Sequence, residues 1–316
     1  AWEVVPSVPD LRLDLDVTER PDYLARRIWY SYGTWGELRT YYNQWCLRNR
    51  ARSGFRLNTG HAYDGLISRN QEAFDAHPEY YGLVDGKRTS TKICIGNPAL
   101  RKLICEHAID YFTKNPDADS ISMDPSDGGG WCQCEKCAAL GSVSDRALTL
   151  ANQVAAAVNE KFENKYVGMY GYAYHSPPPN IRVHPNVVIS VASAFIKGGY
   201  TYDQIVEGWS AKGATLGVRD YFAVNVWCRD LPGRARGGNL KYLTTRIPGL
   251  HEKGARFYSA ESGESWGPYG LGFYVAVVFL FAVFHVVLTV RSVVDEVDEA
   301  LVDTGRVFGA DGVALY

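Results

Sequence analysis

The sequence predicts an α/β chain folded as a (β/α)8 TIM-type barrel, and three observations carry that prediction. Short apolar or β-branched runs alternate with helical periodicity about eight times, the order a parallel sheet requires. The 316 residues exceed the roughly 250 that such a barrel typically uses. Acidic, histidine and aromatic residues recur where the apolar runs give out, and in a barrel those ends ring one mouth. A doubly wound parallel sheet is the competing topology.

The elements follow in order. Residues 1–22 hold Pro6, Pro9 and Pro21 among alternating charges and read as a linker or the remnant of a preceding domain; the barrel is assigned to 23–316. Tyr23 to Tyr30 is a first strand, and Glu37 to Arg52 has aromatic and apolar residues at helical spacing. Gly54 to Thr59 is a second strand, ending at His61. Asp85-Gly86 marks a hairpin, and Lys92 to Ile95 a third strand. Pro98 opens a helix with Leu100, Ile104, Ala108 and Phe112 on one face. Ser120 to Met123 is the central fourth strand. Ser144-Asp145-Arg146 caps a helix reaching about Phe162.

The alternation then repeats. Tyr166 to Tyr174 is a strand ending at His175, and Val187 to Ala192 reads as a buried parallel strand. A helix over Tyr202 to Gly213 precedes a strand over Thr215 to Tyr221. Tyr242 to Lys253 is helical, with Pro248 expected to kink or break it. Arg256 to Ala260 is the last strand. The apolar run Phe273 to Val290 takes the place of the final helix, because His285 and Thr289 interrupt it; no membrane span is expected. About one-third of the tail from Val275 onwards is valine, and its side chains are given no functional weight.

Composition excludes one class of partner. The formal net charge is −2 and there is no basic run, so nucleic acid is not expected. Aromatic side chains are abundant, with 21 Tyr and 8 Trp, which suits either a large core or rings that stack on sugars. No signal peptide precedes Ala1, so the chain is read as mature or as beginning within a longer protein. Seven cysteines cannot all pair within one chain. Cys132, Cys134 and Cys137 lie close in sequence, with Cys94 in the neighbouring strand. These four read as a structural zinc site or a disulfide cluster, the disulfides being the plainer outcome in an oxidising compartment. No catalytic cofactor is expected.

The candidate site is drawn from the strand ends. Asp124 and Asp127 follow the central strand, and Glu261 and Glu264 follow the last one. His61, Tyr172, His175, Asp220, Tyr221, Trp227 and Trp266 are the candidate contacts to a substrate. Each has a plainer reading: His61 as a core histidine, Asp127 as the cap of the Gly128-Gly129-Gly130 turn, Glu264 as the partner of an arginine, and the aromatic rings as core.

Several motifs carry a resemblance. His77-Pro78-Glu79-Tyr80 with Asp85-Gly86-Lys87-Arg88, Cys94 with Asn97-Pro98, Asp127-Gly128-Gly129-Gly130-Trp131-Cys132-x-Cys134-x-x-Cys137, and Glu264-Ser265-Trp266-Gly267-Pro268 with Tyr274 resemble domain-of-unknown-function family 4838. That family includes glycoside hydrolase family 163, whose characterised members are endo-β-N-acetylglucosaminidases. The resemblance implies a secreted or periplasmic barrel whose partner is a carbohydrate substrate. It also implies a glycosidase acting on a complex glycan or polysaccharide, with N-acetylhexosamine linkages as the family's instance. The adjacent Asp-Glu pair expected of such hexosaminidases occurs only at Asp295-Glu296 and Asp298-Glu299. Ala260-Glu261 stands at the last strand end instead. Glycoside hydrolysis needs two carboxyl groups flanking the scissile oxygen. Glu261 is taken as general acid/base with its pKa raised by aromatic neighbours, and Asp124 or Asp127 as the group that holds substrate or steadies positive charge. The alternative is a carbohydrate-binding or structural barrel without catalysis.

Overall fold

The computed structural model describes residues 21–30, 38–48, 50–51, 54–223, 236 and 239–262. The expectations for residues 1–20, Trp227, Glu264, Trp266 and the Phe273–Val290 run lie outside them. The strands are β1 (Ala25–Tyr30), β2 (Tyr81–Val84), β3 (Lys87–Ile93), β4 (Ser120–Ser122), β5 (Tyr166–Gly171), β6 (Val187–Ala192), β7 (Thr215–Ala223) and β8 (Ala255–Ser262). The helices are α1 (Leu38–Arg48), α2 (Tyr63–Arg69), α3 (Gln71–Ala76), α4 (Pro98–Lys114), α5 (Glu135–Ala138), α6 (Val143–Asn159), α7 (Tyr202–Ala211) and α8 (Leu240–Glu252).

Six strands form one sheet in the order β1-β8-β7-β6-β5-β4, every pair parallel. The sheet is curled. Ala25 of β1, Phe257 of β8 and Val188 of β6 share a buried cluster with Phe55, Leu57 and Tyr166 of β5. In a flat sheet β1 and β5 would stand about 19 Å apart, four strand spacings, so only curvature brings these side chains together. On the convex side, Leu100, Ile104, Ala108 and Phe112 of α4 and Leu148, Ala151, Val154 and Val158 of α6 are buried against the sheet.

The described residues therefore form a half-barrel where a closed eight-stranded barrel was expected, because two expected strands do not join the ladder. The stretch from Gly54 to Thr59 runs beside β4, but its backbone bonds to side chains. The Arg56 N–H donates to the Asp119 carboxylate at 2.7 Å, and the Asn58 N–H to Ser120 Oγ at 2.6 Å. Ser120 Oγ in turn donates to the Arg56 carbonyl at 2.8 Å. A single parallel bridge, His61 to Asp124, completes the contact. The Lys92–Ile95 run instead gives its first two residues, Lys92 and Ile93, to the antiparallel β2–β3 hairpin. Its turn residues Asp85 and Gly86 have φ of 48° and 77°, the left-handed pair that a two-residue hairpin loop demands.

Two helix ends also differ from expectation. The cap of α6 is Ser142, two residues earlier than expected, with Asp145 closing a reciprocal capping box. Helix α8 runs through Pro248. Proline removes one backbone bond there, but Leu243, Ile247 and Leu250 pack on the core from either side, and that burial holds the helix together. Among the described residues no helix is long and apolar enough to cross a membrane.

Candidate functional site

Strand alternation decides which side chains reach the concave face. On β7, Leu216, Val218 and Phe222 belong to the helix-side core, so Gly217, Arg219 and Tyr221 face inward. On β8, Phe257 lies in the inner cluster, and Ser259 and Glu261 follow it at steps of two. Tyr221 is in register with Glu261. Asp220 consequently points outward, under α8. Its carboxylate accepts hydrogen bonds from Ser193 Oγ (2.6 Å), Tyr258 OH (2.6 Å), Tyr242 OH (2.7 Å) and the Tyr221 N–H (2.8 Å). This corrects the expectation that Asp220 contacts substrate: a strand end supplies residues to both faces, and Asp220 falls on the wrong one.

Glu261 faces inward and is 2% exposed; Arg219, 7% exposed, donates to it from the neighbouring strand. The guanidinium lies 5.7 Å from the ring centre of Tyr170 and 5.4 Å from that of Tyr221. A buried carboxyl group among rings would by itself lose its charge, but an adjacent guanidinium favours the ionised form. Glu261 therefore meets a fixed cation where a proton donor was expected.

Asp124, fully buried, sits where β4 ends. Its Oδ1 accepts the Tyr170 N–H at 2.8 Å. His61 Nδ1 stands 3.1 Å from Oδ2 and His175 Nε2 3.4 Å from Oδ1. Burial alone would push the Asp124 pKa up, but the two imidazoles outweigh it and hold the group below the usual carboxylate range. In return Asp124 raises the pKa of His61. The His61 Nδ1 also lies 2.7 Å from the Pro125 carbonyl. Asp124 Oδ2 and His175 Nε2 are buried atoms without a hydrogen bond among the described residues.

Tyr172 joins the two halves of the site. Its pKa is pushed up to about 12, first by burial, then by Asp127, Asp124 and Glu261. Rings run in an unbroken arc along the strand ends: His61 to Tyr172 at 6.0 Å, Tyr172 to Phe195 at 5.5 Å, and Phe195 to Tyr221 at 6.0 Å between centres. Ala173 and Phe195 both have left-handed backbones, with φ of 46° and 60°. Such strain in a bulky residue collects at functional loops. Asp127 is exposed, and its Oδ1 accepts the Gly128 N–H at 2.8 Å, as a turn cap does.

Reading the sequence missed three members of this site. Arg219 and Phe195 were absent from the candidates, as was Lys92, fully buried, whose Nζ donates to the Asp127 carbonyl at 2.9 Å. Burial lowers the Lys92 pKa, against the pull of Asp64, Asp127 and Asp124. For Arg219 the available signal was a charged residue at an inward step of a largely apolar strand. A separate cavity of about 570 Å³ lies between the 58–62 stretch and α4 and shares only His61 with the arc.

Complexes of endo-glycoceramidase II from Rhodococcus sp. are among the solved structures similar to this chain. The ganglioside GM3 complex is 12% identical with a TM-score of 0.36, over 71% of this chain and 61% of that one. The lactosyl-enzyme intermediate is 16% identical with a TM-score of 0.32, over 52% and 40%. The five-membered iminocyclitol complex is 15% identical with a TM-score of 0.32, over 52% and 41%. This chain thus spans about two-fifths to three-fifths of those proteins. No curated protein matches it. Residues 1–229, well over half of the chain, match the domain of unknown function DUF4838, and the chain belongs to that family.

Proposed function

We propose that the chain is a glycoside hydrolase acting on a complex glycan or polysaccharide. The observation that carries this reading is the arc of rings from His61 through Tyr172 and Phe195 to Tyr221, with Asp124 against His61 at one end and Glu261 in register with Tyr221 at the other. Rings that stack on a pyranose, and fixed charges that stabilise positive charge at its anomeric carbon, are what glycosidic cleavage uses. With Arg219 against it, Glu261 suits the ionised role of nucleophile or charge stabiliser better than that of acid. The proton is assigned to His61, which Asp124 keeps protonated to higher pH and which is 37% exposed. His175 holds Asp124 from the other side, and Tyr172 and Tyr221 form the sugar platform. The motif resemblance to glycoside hydrolase family 163 supports N-acetylhexosamine linkages as the first to try, and a secreted or periplasmic location goes with such a substrate.

Incubation with a glycan array, read as released reducing ends, tests the activity. Glu261→Gln is expected to lower turnover by at least about 10²-fold, on natural glycans and activated aryl glycosides alike. His61→Asn should cost on the order of 10²–10⁴-fold on natural glycans and far less on aryl glycosides, whose leaving group needs little protonation. Full activity of Glu261→Gln on an unactivated glycan would end the assignment. One observation favours a second reading: Glu261 and Asp124 each have protein partners, as in a barrel that only binds carbohydrate. Glycan binding without any release of reducing ends would decide for it.

A further inference from the structure

Three cysteines after the glycine turn and one after β3 converge on one point. Cys94 follows β3, Cys132 and Cys134 lie in the loop, and Cys137 lies in α5. Their sulfurs are all within 4.8 Å of one another. Cys94 Sγ is 3.6 Å from Cys134 Sγ and 3.9 Å from Cys137 Sγ. A tetrahedral zinc with Zn–S bonds of about 2.3 Å sets its sulfurs about 3.8 Å apart. The observed separations bracket that edge, and no one pairing into disulfides is singled out. We infer that Cys94, Cys132, Cys134 and Cys137 bind a single structural zinc ion as four thiolates.

The surroundings are built for such a centre. The Leu83 N–H donates to Cys132 Sγ at 3.3 Å and the Gly96 N–H to Cys137 Sγ at 3.1 Å, and backbone donors of this kind stabilise thiolate charge. Four thiolates on a divalent ion leave net negative charge. The guanidinium groups of Arg146 and Arg101 offset it, donating to the carbonyls of Cys132 (3.0 Å) and Ile95 (2.6 Å). Gly96 is the residue that lets the two ligand segments meet: a Cβ there would stand 2.5 Å from the Lys136 carbonyl carbon and 2.6 Å from the Cys137 nitrogen. The consequence reaches the mouth of the sheet. The zinc ties the β2–β3 hairpin to the loop that carries Asp127 and Trp131, and Lys92, two residues before Cys94, grips the Asp127 carbonyl.

The test uses the full chain purified without chelators. Elemental analysis should find about one zinc per chain, and a thiol-specific mercurial should release it as the four thiols titrate. Cobalt exchanged into the site should show the intense visible bands and sulfur-to-metal charge transfer of a tetrahedral tetrathiolate. Cys137→Ser should lose the metal, and Gly96→Ala should weaken its retention with all four sulfurs still present. Four titratable thiols with no metal overturn the inference. So do two disulfides under non-reducing mass spectrometry, or iron in place of zinc. None of these readouts depends on glycosidase activity.

Discussion

Removing the Asp220 carboxylate tests the assignment of β7's two faces. Asp220→Ala strips the acceptor from three hydroxyl groups, those of Ser193, Tyr242 and Tyr258. The carboxylate is 1% exposed, so water cannot take its place without repacking α8. Each buried donor left unpaired costs about 1–3 kcal/mol. The donors can partly relax toward one another, so the total should be about 3–5 kcal/mol, the upper end for a single substitution. With an unfolding entropy near 2.1 cal/mol/K per residue, that corresponds to a drop in Tm of roughly 4–8 °C for a chain this long. Urea denaturation and calorimetry would measure it. Asp220→Asn, which keeps one acceptor oxygen, should fall between the variant and the parent. Turnover or glycan affinity of the folded variants should change little. A variant with unchanged Tm and lost glycan affinity would refute the reasoning, because the carboxylate would then face the mouth.

Two further predictions follow from the packing. The Asp124 pKa is lowered by folding, so its stabilisation is complete above the ordinary value of 3.8 and is lost as pH falls through the folded value. The His61 pKa is raised, so its contribution is complete below 6.5 and fades as pH rises through the folded value. The stability lost in Asp124→Asn should therefore be largest between these two values and shrink on both sides; denaturation midpoints across pH measure this, and a difference that is flat with pH would count against the pair. Gly168→Ala should destabilise by about 1–3 kcal/mol through overpacking, since its Cβ would lie 2.2 Å from the Asn58 carbonyl oxygen. Unchanged urea stability would mean that the 54–61 stretch does not pack across β5.

Much of the architecture follows from local sequence alone. Hydrophobic period and terminal signals locate β6 at Val187–Ala192 and the start of α4 at Pro98, since those choices depend on neighbours a few residues away. The placement of carboxylates and histidines at strand ends was equally legible, which is why Asp124, His61, His175, Tyr172 and Glu261 were all named from sequence. What tertiary structure decided was pairing and facing. Gly54 to Thr59 has the composition of a strand, yet the hydroxyl and carboxylate groups of Ser120 and Asp119 take its backbone bonds. Lys92 to Ile95 reads as a barrel strand, yet the Asp85-Gly86 turn a few residues before it draws its first residues into a hairpin, as local closure costs less entropy than joining a distant sheet.

 Asp220 and Glu261 show the same limit at the site. Both are acidic residues near the end of an inner strand, and their own sequence neighbourhoods do not distinguish them. One faces α8 and the other the mouth, because the side-chain period of two is anchored by which of Leu216, Val218 and Phe257 the rest of the fold buries on each side. The ion pair of Glu261 was hidden for a related reason. Its partner Arg219 is 42 residues away in sequence, and the parallel register of β7 and β8 sets that contact. The sequence by itself therefore determined which chemical groups stand at the strand ends. Only the tertiary structure decided which of them meet, because a pKa or a hydrogen bond depends on atoms a few ångströms away in space, whatever their separation along the chain.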